Sequence, residues 1–253
     1  MTAATASPAL RAEAVGVSFA GLRALREVDL VVAPGDLLGL IGPNGSGKTT
    51  LLNVLSGVIR PTDGRVCVDE TDVTGWPAHR MAARGIARTF QNIRLFAQMT
   101  VLDNVEVGAA LHPDRSRWTS LRAAARMMLA ETGLLDVADR RAGTLPYGVQ
   151  RRVEIARALA TRPTFLLLDE PAAGTNEAES DELRELISEL RRAHGLGMVV
   201  VEHDLRMIMR LADRILVLNE GRRIFEGTAA GVVADPAVRE AYLGRRAVEA
   251  APV

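Results

Sequence analysis

A chain of 253 residues, 48% of them hydrophobic and only 4% aromatic, can bury a substantial core in one large domain or in a domain carrying a smaller subdomain. Its 31 basic and 31 acidic residues cancel to a formal net charge of zero, which removes any bulk electrostatic pull toward nucleic acid or anionic lipid. The single cysteine, Cys67, excludes an internal disulfide, and no stretch approaches the roughly eighteen apolar residues that span a bilayer. The small, polar beginning lacks the charged-then-apolar pattern of a signal peptide. The chain is therefore expected to be soluble by itself and to reach a membrane only through a partner.

Residues 1–8 and 245–253 read as loose tails. Ala12–Val17 and Leu25–Val32 alternate as antiparallel strands, with Phe19 and Gly21 in the turn between them. Phe19 fits two readings, a core aromatic or a platform on which a nucleobase stacks. Next comes a short apolar run, Leu38, Leu40 and Ile41, that reads as a buried strand. It leads through Gly42, Pro43, Asn44, Gly45, Ser46, Gly47, Lys48 and Thr49 into a helix over Thr49–Leu55 that includes Thr50. This spacing fills the phosphate-binding loop pattern in its strand–loop–helix context. Backbone N–H groups and a helix N-terminus converge there on phosphates, and the glycines permit that approach without side-chain clash. Lys48 can reach the β and γ phosphates, and the Thr49 hydroxyl can ligate magnesium. The sequence thus predicts a nucleoside triphosphate site.

Pro61-Thr62-Asp63-Gly64 marks a turn into a strand over Arg65–Val68, which buries Cys67. Ala78–Arg84 reads as a short helix stopped by Gly85, and Ile86–Phe90 as a strand closed by Gln91, whose amide can ligate magnesium. From Thr100 to Ala160 the pattern turns helical, with Leu121–Thr132 its clearest helix and His112–Ser120 a solvated polar connection. Thr164–Leu168 is an unbroken apolar strand of a parallel sheet, and it ends in Asp169 and Glu170. Ligands sit at that end of such strands. Asp169 is placed to hold magnesium, and Glu170 to orient or deprotonate an attacking water. Glu177–Arg192 is an amphipathic helix, Met198–Val201 a buried strand followed by His203, Leu205–Leu211 a helix and Arg214–Leu218 a strand. His203 can meet a γ-phosphate or the water beside it. His79, His112 and His194 lack such placement and receive no role. Strand and helix alternate through the main layer, so the class is α/β.

In this order, Phe19, the loop Gly42–Thr49, Gln91, the segment Leu145–Gln150, Asp169-Glu170 and His203 make the chain resemble an ATP-binding cassette ATPase, the motor subunit of ABC transporters, over about residues 10–244. That family's signature loop is Leu-Ser-Gly-Gly-Gln, placed at the start of a helix, here Arg151–Ala160. The chain has Leu145-Pro146-Tyr147-Gly148-Val149 instead, without the serine but with Gly148 and a helix N-terminus that still make an anion site. Asn176 stands where the family usually carries aspartate, which keeps the hydrogen-bonding shape and drops the charge. Gly85–Phe96, the Leu-Pro-Tyr-Gly signature, Pro171–Asn176 and the end from Glu226 to Gly244 are similar to the larger ATPase subunit of branched-chain amino acid importers.

The resemblance implies a P-loop NTPase core with an N-terminal antiparallel β part and a helical subdomain insertion. It divides residues 9–244 into a core (9–93 and 163–229), a helical subdomain at about 94–162 and a C-terminal extension over 230–244. It implies ATP and Mg²⁺ as ligands, with ATP lying between Phe19, the loop and Gly148 of an opposing cassette. Thr49, Gln91 and Asp169 would face the metal, and Lys48, Gln91, Glu170 and His203 the chemistry. The expected partners are transmembrane permease subunits, a second ABC ATPase subunit (a copy or a relative) and, indirectly, an external solute-binding protein. No nucleic acid is expected. The expected place is the cytoplasmic face of the membrane, held through the permease. Related importers for urea, amides or other amino acids, and a soluble cassette ATPase outside transport, stay open as alternatives.

Overall fold

The computed structural model describes residues 8–111 and 120–243. Three five-residue strands form its centre: β3 (Leu37–Ile41), β7 (Phe165–Asp169) and β8 (Gly197–Val201), each buried along its whole length. Continuous burial requires cover on both faces, and the strands supply it by alternation. Leu38, Leu40, Phe165, Leu167, Val199 and Val201 enter one apolar cluster, whereas Leu37, Ile41, Leu166, Leu168, Met198 and Val200 enter the other.

The first cluster lies toward the N-terminal strands. β1 (Leu10–Phe19) pairs antiparallel with β2 (Leu22–Val32) and with β4 (Asp63–Val68), and β5 (Thr71–Asp72) completes a four-stranded sheet in the order β2-β1-β4-β5. Helix α1 (Lys48–Leu55) packs Leu51, Leu52, Val54 and Leu55 into the same cluster. Cys67 is a buried free thiol on β4, as expected. The second cluster takes α3 (Val101–Ala110), α4 (Leu121–Glu131), α5 (Tyr147–Ala160), α6 (Glu177–His194) and α7 (Leu205–Leu211). The larger sheet has the order β10-β9-β3-β8-β7-β6, with β6 (Ile86–Arg88) and β9 (Arg214–Asn219) parallel to the central strands. At its far edge β10 (Arg222–Gly227) returns antiparallel on β9.

Local chemistry sets the helix ends. Thr100 and Asp103 form a reciprocal capping box at the start of α3, and Ser120 caps α4. Asn176 and Glu179 form a second box on α6, whose first turn is acidic and whose last turn carries Arg191, Arg192 and His194 before Gly195 ends it in a left-handed conformation. Asn176 therefore has a structural task, since its side chain accepts the Glu179 N–H at 3.0 Å.

The mixed α/β class holds, with several local corrections. α2 (Ala78–Ala83) is one residue shorter than expected, and β6 ends at Arg88 rather than Phe90, with Thr89 N–H still donating to the Leu167 carbonyl at 3.0 Å as the last bond to β7. β10 was not expected at all. α5 begins at Tyr147 instead of Arg151, so Gly148 sits inside its first turn, with Pro146 as the N-cap. Proline fits just ahead of a helix because the first turn needs no N–H from it. Of the expected tails, residues 1–7 and 245–253 lie outside the described residues, as do residues 112–119 of the expected polar connection.

Candidate active site

Register brings the motifs together. Leu40 lies beside Val201 across β3 and β8, and Asp169 beside Val201 across β7 and β8. The loop after β3, the acidic pair closing β7 and the Glu202-His203 pair after β8 therefore emerge at one edge, the C-terminal edge of the parallel strands. Ala24, Asn44, Gly45, Gly47, Lys48, Thr49, Thr50, Gln91, Glu170 and His203 line a single cavity there.

The loop's shape depends on glycine where side chains would collide. At Gly42 (φ +153) a Cβ would stand 2.1 Å from the Leu218 carbonyl oxygen, and at Gly47 (φ +107) 2.6 Å from the Leu25 side chain. Lys48 is buried, and its Nζ donates to the carbonyls of Gly42 (2.8 Å) and Pro43 (2.9 Å), so the ammonium is folded over the loop it belongs to. Burial lowers its pKa, opposed by the nearby charges of Glu170 and Asp169. The Ser46 hydroxyl is buried with no protein partner. A buried hydroxyl in that condition calls for a ligand atom or water.

Glu170 has φ +50, an uncommon conformation for a residue with a side chain, and its N–H donates to the Val201 carbonyl at 2.9 Å. Both carboxylate oxygens are engaged: Gln91 Nε2 donates to Oε2 at 2.8 Å, and His203 Nε2 lies 2.6 Å from Oε1. Asp169 is held from the other side. Buried Arg88 donates Nη2 to Asp169 Oδ2 at 2.8 Å and Nη1 to Asn53 Oδ1 and Ser56 Oγ. Asp169 Oδ1 is left buried and without a partner.

Magnesium fits this edge through that orphaned oxygen and the cavity-lining Thr49 and Gln91. Among the described residues no cluster of three or more His, Cys, Asp or Glu side chains could hold a metal alone. An ion here would draw on few protein groups together with phosphate oxygens, which is the usual manner of Mg²⁺.

The remaining expected residues lie elsewhere. Phe19 closes β1 at 45% exposure and joins neither apolar cluster, which removes the core reading. Gly148 faces a different groove, lined by Pro146, Val149, Arg152, Thr175, Glu179 and Glu182. One chain therefore does not bring its own Gly148 to its own phosphate loop. Sequence reasoning passed over Arg88, Glu202 and Arg151. Arg88 and Glu202 each follow an apolar strand run, and that mismatch was the available signal; Arg151, between Gln150 and Arg152, carried none. Glu202 is 3% exposed and accepts from Ala172 N (2.6 Å) and His203 N (3.2 Å), joining the loop after Glu170 to the histidine.

Comparison with known proteins bears on the same residues. The ABC transporter family model matches residues 25–173, from β2 through the phosphate loop and the acidic pair. The chain belongs to the ABC transporter ATP-binding family. A second model, the branched-chain amino acid ATP-binding cassette transporter family, matches residues 222–248. The chain is 41% identical over 251 residues to the high-affinity branched-chain amino acid transport ATP-binding protein BraF of Pseudomonas aeruginosa, covering 94% of this chain and 98% of that one. It is also 41% identical over 250 residues to LivG of Escherichia coli K12, of the same description and with the same coverage. Among solved structures, the ADP conformation of the ATP-binding cassette MJ1267 superposes with a TM-score of 0.85 at 33% identity, covering 94% of this chain and 99% of that one. The protein is thus an ATPase of the ABC class, and the cavity at the strand ends is the place where its nucleotide chemistry has to be sought.

Proposed function

We propose that this chain is the ATP-hydrolysing motor subunit of an importer for branched-chain amino acids, paired with a second cassette beneath a membrane permease. The observation that carries the motor reading is the convergence of Lys48, Gln91, Glu170 and His203 on one cavity. The branched-chain assignment is supported by the match over residues 222–248 and by the descriptions of the two relatives.

ATP lies with its phosphates on the N–H groups of the Gly42–Thr49 loop and the N-terminus of α1. Lys48 leaves the Gly42 and Pro43 carbonyls for the β and γ phosphates, and exposed Phe19 offers its ring to the base. Thr49, Asp169 and Gln91 would hold Mg²⁺, which when bound would neutralise charge on the phosphate oxygens. Glu170 accepts a proton from the water that attacks the γ-phosphorus, His203 steadies the phosphoryl oxygens, and ADP and inorganic phosphate leave.

Since Gly148 lies outside its own chain's cavity, a second cassette has to bring its equivalent residue to the γ-phosphate. The permease contact is assigned to a groove between the sheet and the helical part, lined by Val58, Ile86, Phe90, Phe96, Val107 and Leu111. Val58, Phe96 and Leu111 are 50–64% exposed there, and the groove adjoins the Gln91 loop. Among the described residues no helix is long and apolar enough to cross a membrane, so attachment through a permease suits the chain. Glu170→Gln removes the proton acceptor and keeps the shape. With MgATP, light scattering of this variant, alone or mixed with its companion cassette, is expected to show a stable dimer. A variant that stays monomeric in both mixtures would contradict the two-cassette reading.

A further inference from the structure

Helix α5 carries a guanidinium that the site as assigned does not use. Arg151 is 1% exposed, and its four terminal N–H bonds all have acceptors. Nη1 donates to the Phe90 carbonyl at 2.5 Å and to Glu154 Oε2 at 2.9 Å, while Nη2 donates to the Gln91 carbonyl at 2.6 Å and to the Tyr147 hydroxyl at 3.0 Å. Glu154 carries the contact further, since its Oε1 accepts the Arg94 N–H at 3.3 Å. The Tyr147 ring extends it in another direction: a Cβ built on Gly174, in the loop after Glu170, would lie 3.5 Å from that ring. One buried cation thus joins the loop after β6 to the first turn of α5, and the Tyr147 ring beside it borders the loop after β7.

Two physical points make this more than packing. Burying an ion pair costs several kcal/mol of desolvation per ion, a cost that apolar side chains of the same volume would not carry. The acceptors also require a fork. Two successive backbone carbonyls, a carboxylate and a phenol are met by the planar guanidinium and cannot be met together by the three donors of one ammonium. Gln91 stands at the centre, because its carbonyl is fixed by Arg151 while its side chain donates to Glu170 Oε2.

We propose that Arg151 is a positioning residue for hydrolysis: it clamps the Gln91 backbone to α5, so that the placement of the Gln91 amide against Glu170 follows the position of that helix. This rests on the roles proposed above for Gln91 and Glu170. Helix α5 begins at the signature segment, and its Glu154 and Arg157 line the apolar groove assigned to the permease. A displacement at either place would therefore reach the Glu170 carboxylate through one guanidinium.

The test is a kinetic cycle in the assembled ATPase, with Arg151→Lys, Gln91→Ala and the double variant compared for kcat and KM of ATP. Groups in one hydrogen-bond network couple strongly, so Arg151→Lys is expected to lower kcat about tenfold, with KM within about twofold. In the Gln91→Ala background the same change is expected to cost less than about twofold, because the path to Glu170 is already cut. Tyr147→Phe, which strands no buried charge, gives a milder second arm with the same pattern. Equal fold losses in both backgrounds, or an unchanged kcat on Arg151→Lys, overturn the clamp. A Gln91→Ala variant with unaltered kcat overturns the clamp together with the role of Gln91, whereas wild-type protein that does not turn over ATP overturns the site reading itself.

Discussion

Glu202 shows how a single buried group ties this site to pH. Desolvation raises its pKa from the ordinary 4.5 to about 7, aided by the charges of Glu170 and Asp204 and opposed by the N–H bonds from Ala172 and His203. The folded protein therefore prefers the neutral acid. Its penalty is absent below pH 4.5 and grows as pH rises through 7, when the buried carboxyl must ionise. Glu202→Gln removes that titration. Relative to wild type, the variant is expected to gain about 2 kcal/mol in unfolding free energy between pH 5.5 and pH 8, measured by urea denaturation at both values. A difference that stays constant with pH would show that Glu202 is not the group responsible. The residues legible in the sequence were those whose chemistry is written locally, such as the Gly42–Thr49 loop and Asp169-Glu170. Arg88 and Arg151 were not, since the contacts that tie them to the site, Arg88 to Asp169 and Arg151 to the Phe90 carbonyl, span 81 and 61 residues, and the local i+3 partner of Arg151, Glu154, does not reveal them.

Among the elements, the fully apolar runs at β3, β7 and β8 announced a parallel sheet buried on both faces, and the structure places them at its centre. β10 gave no such signal. It is half-exposed and rich in charge, and its place is set by the turn at Glu220-Gly221, where both residues have positive φ (48° and 77°), the geometry of a tight hairpin. The start of α5 was hidden for a related reason: Pro146 and Gly148 read as loop residues, yet one caps the helix and the other tolerates its first turn. The segment from Gln91 to Thr100 presents Phe96 at 50% exposure, with its backbone pinned by the buried Asn104 side chain through Phe96 N (2.9 Å) and Phe96 O (3.0 Å). A pinned backbone presenting a half-exposed aromatic ring, with the Arg157 guanidinium 5.9 Å from its centre, is suited to docking an apolar partner. Phe96→Asp is expected to weaken recovery of the permease by tenfold or more in a pull-down, as loss of a central aromatic anchor does, with ATP affinity unchanged. Undiminished recovery would move the contact away from this groove.

At the scale of the whole molecule, the chain joins a nucleotide site at one sheet edge to an apolar groove through α5 and the Gln91 loop. Among the described residues no helix is long and apolar enough to cross a membrane, and the proposed motor acts on one through a permease. The fold class followed from strand–helix alternation, but that Gly148 faces a groove separate from the phosphate-loop cavity became visible only in the structure. On the proposal that a second cassette supplies the Gly148 contact, activity belongs to the assembly. The most direct measurement is purification of the tagged protein from the membranes of its own host in mild detergent, with identification of every chain that accompanies it. The account predicts permease chains and a second cassette. Recovery only in the soluble fraction, with a partner that is not a membrane protein, would contradict it.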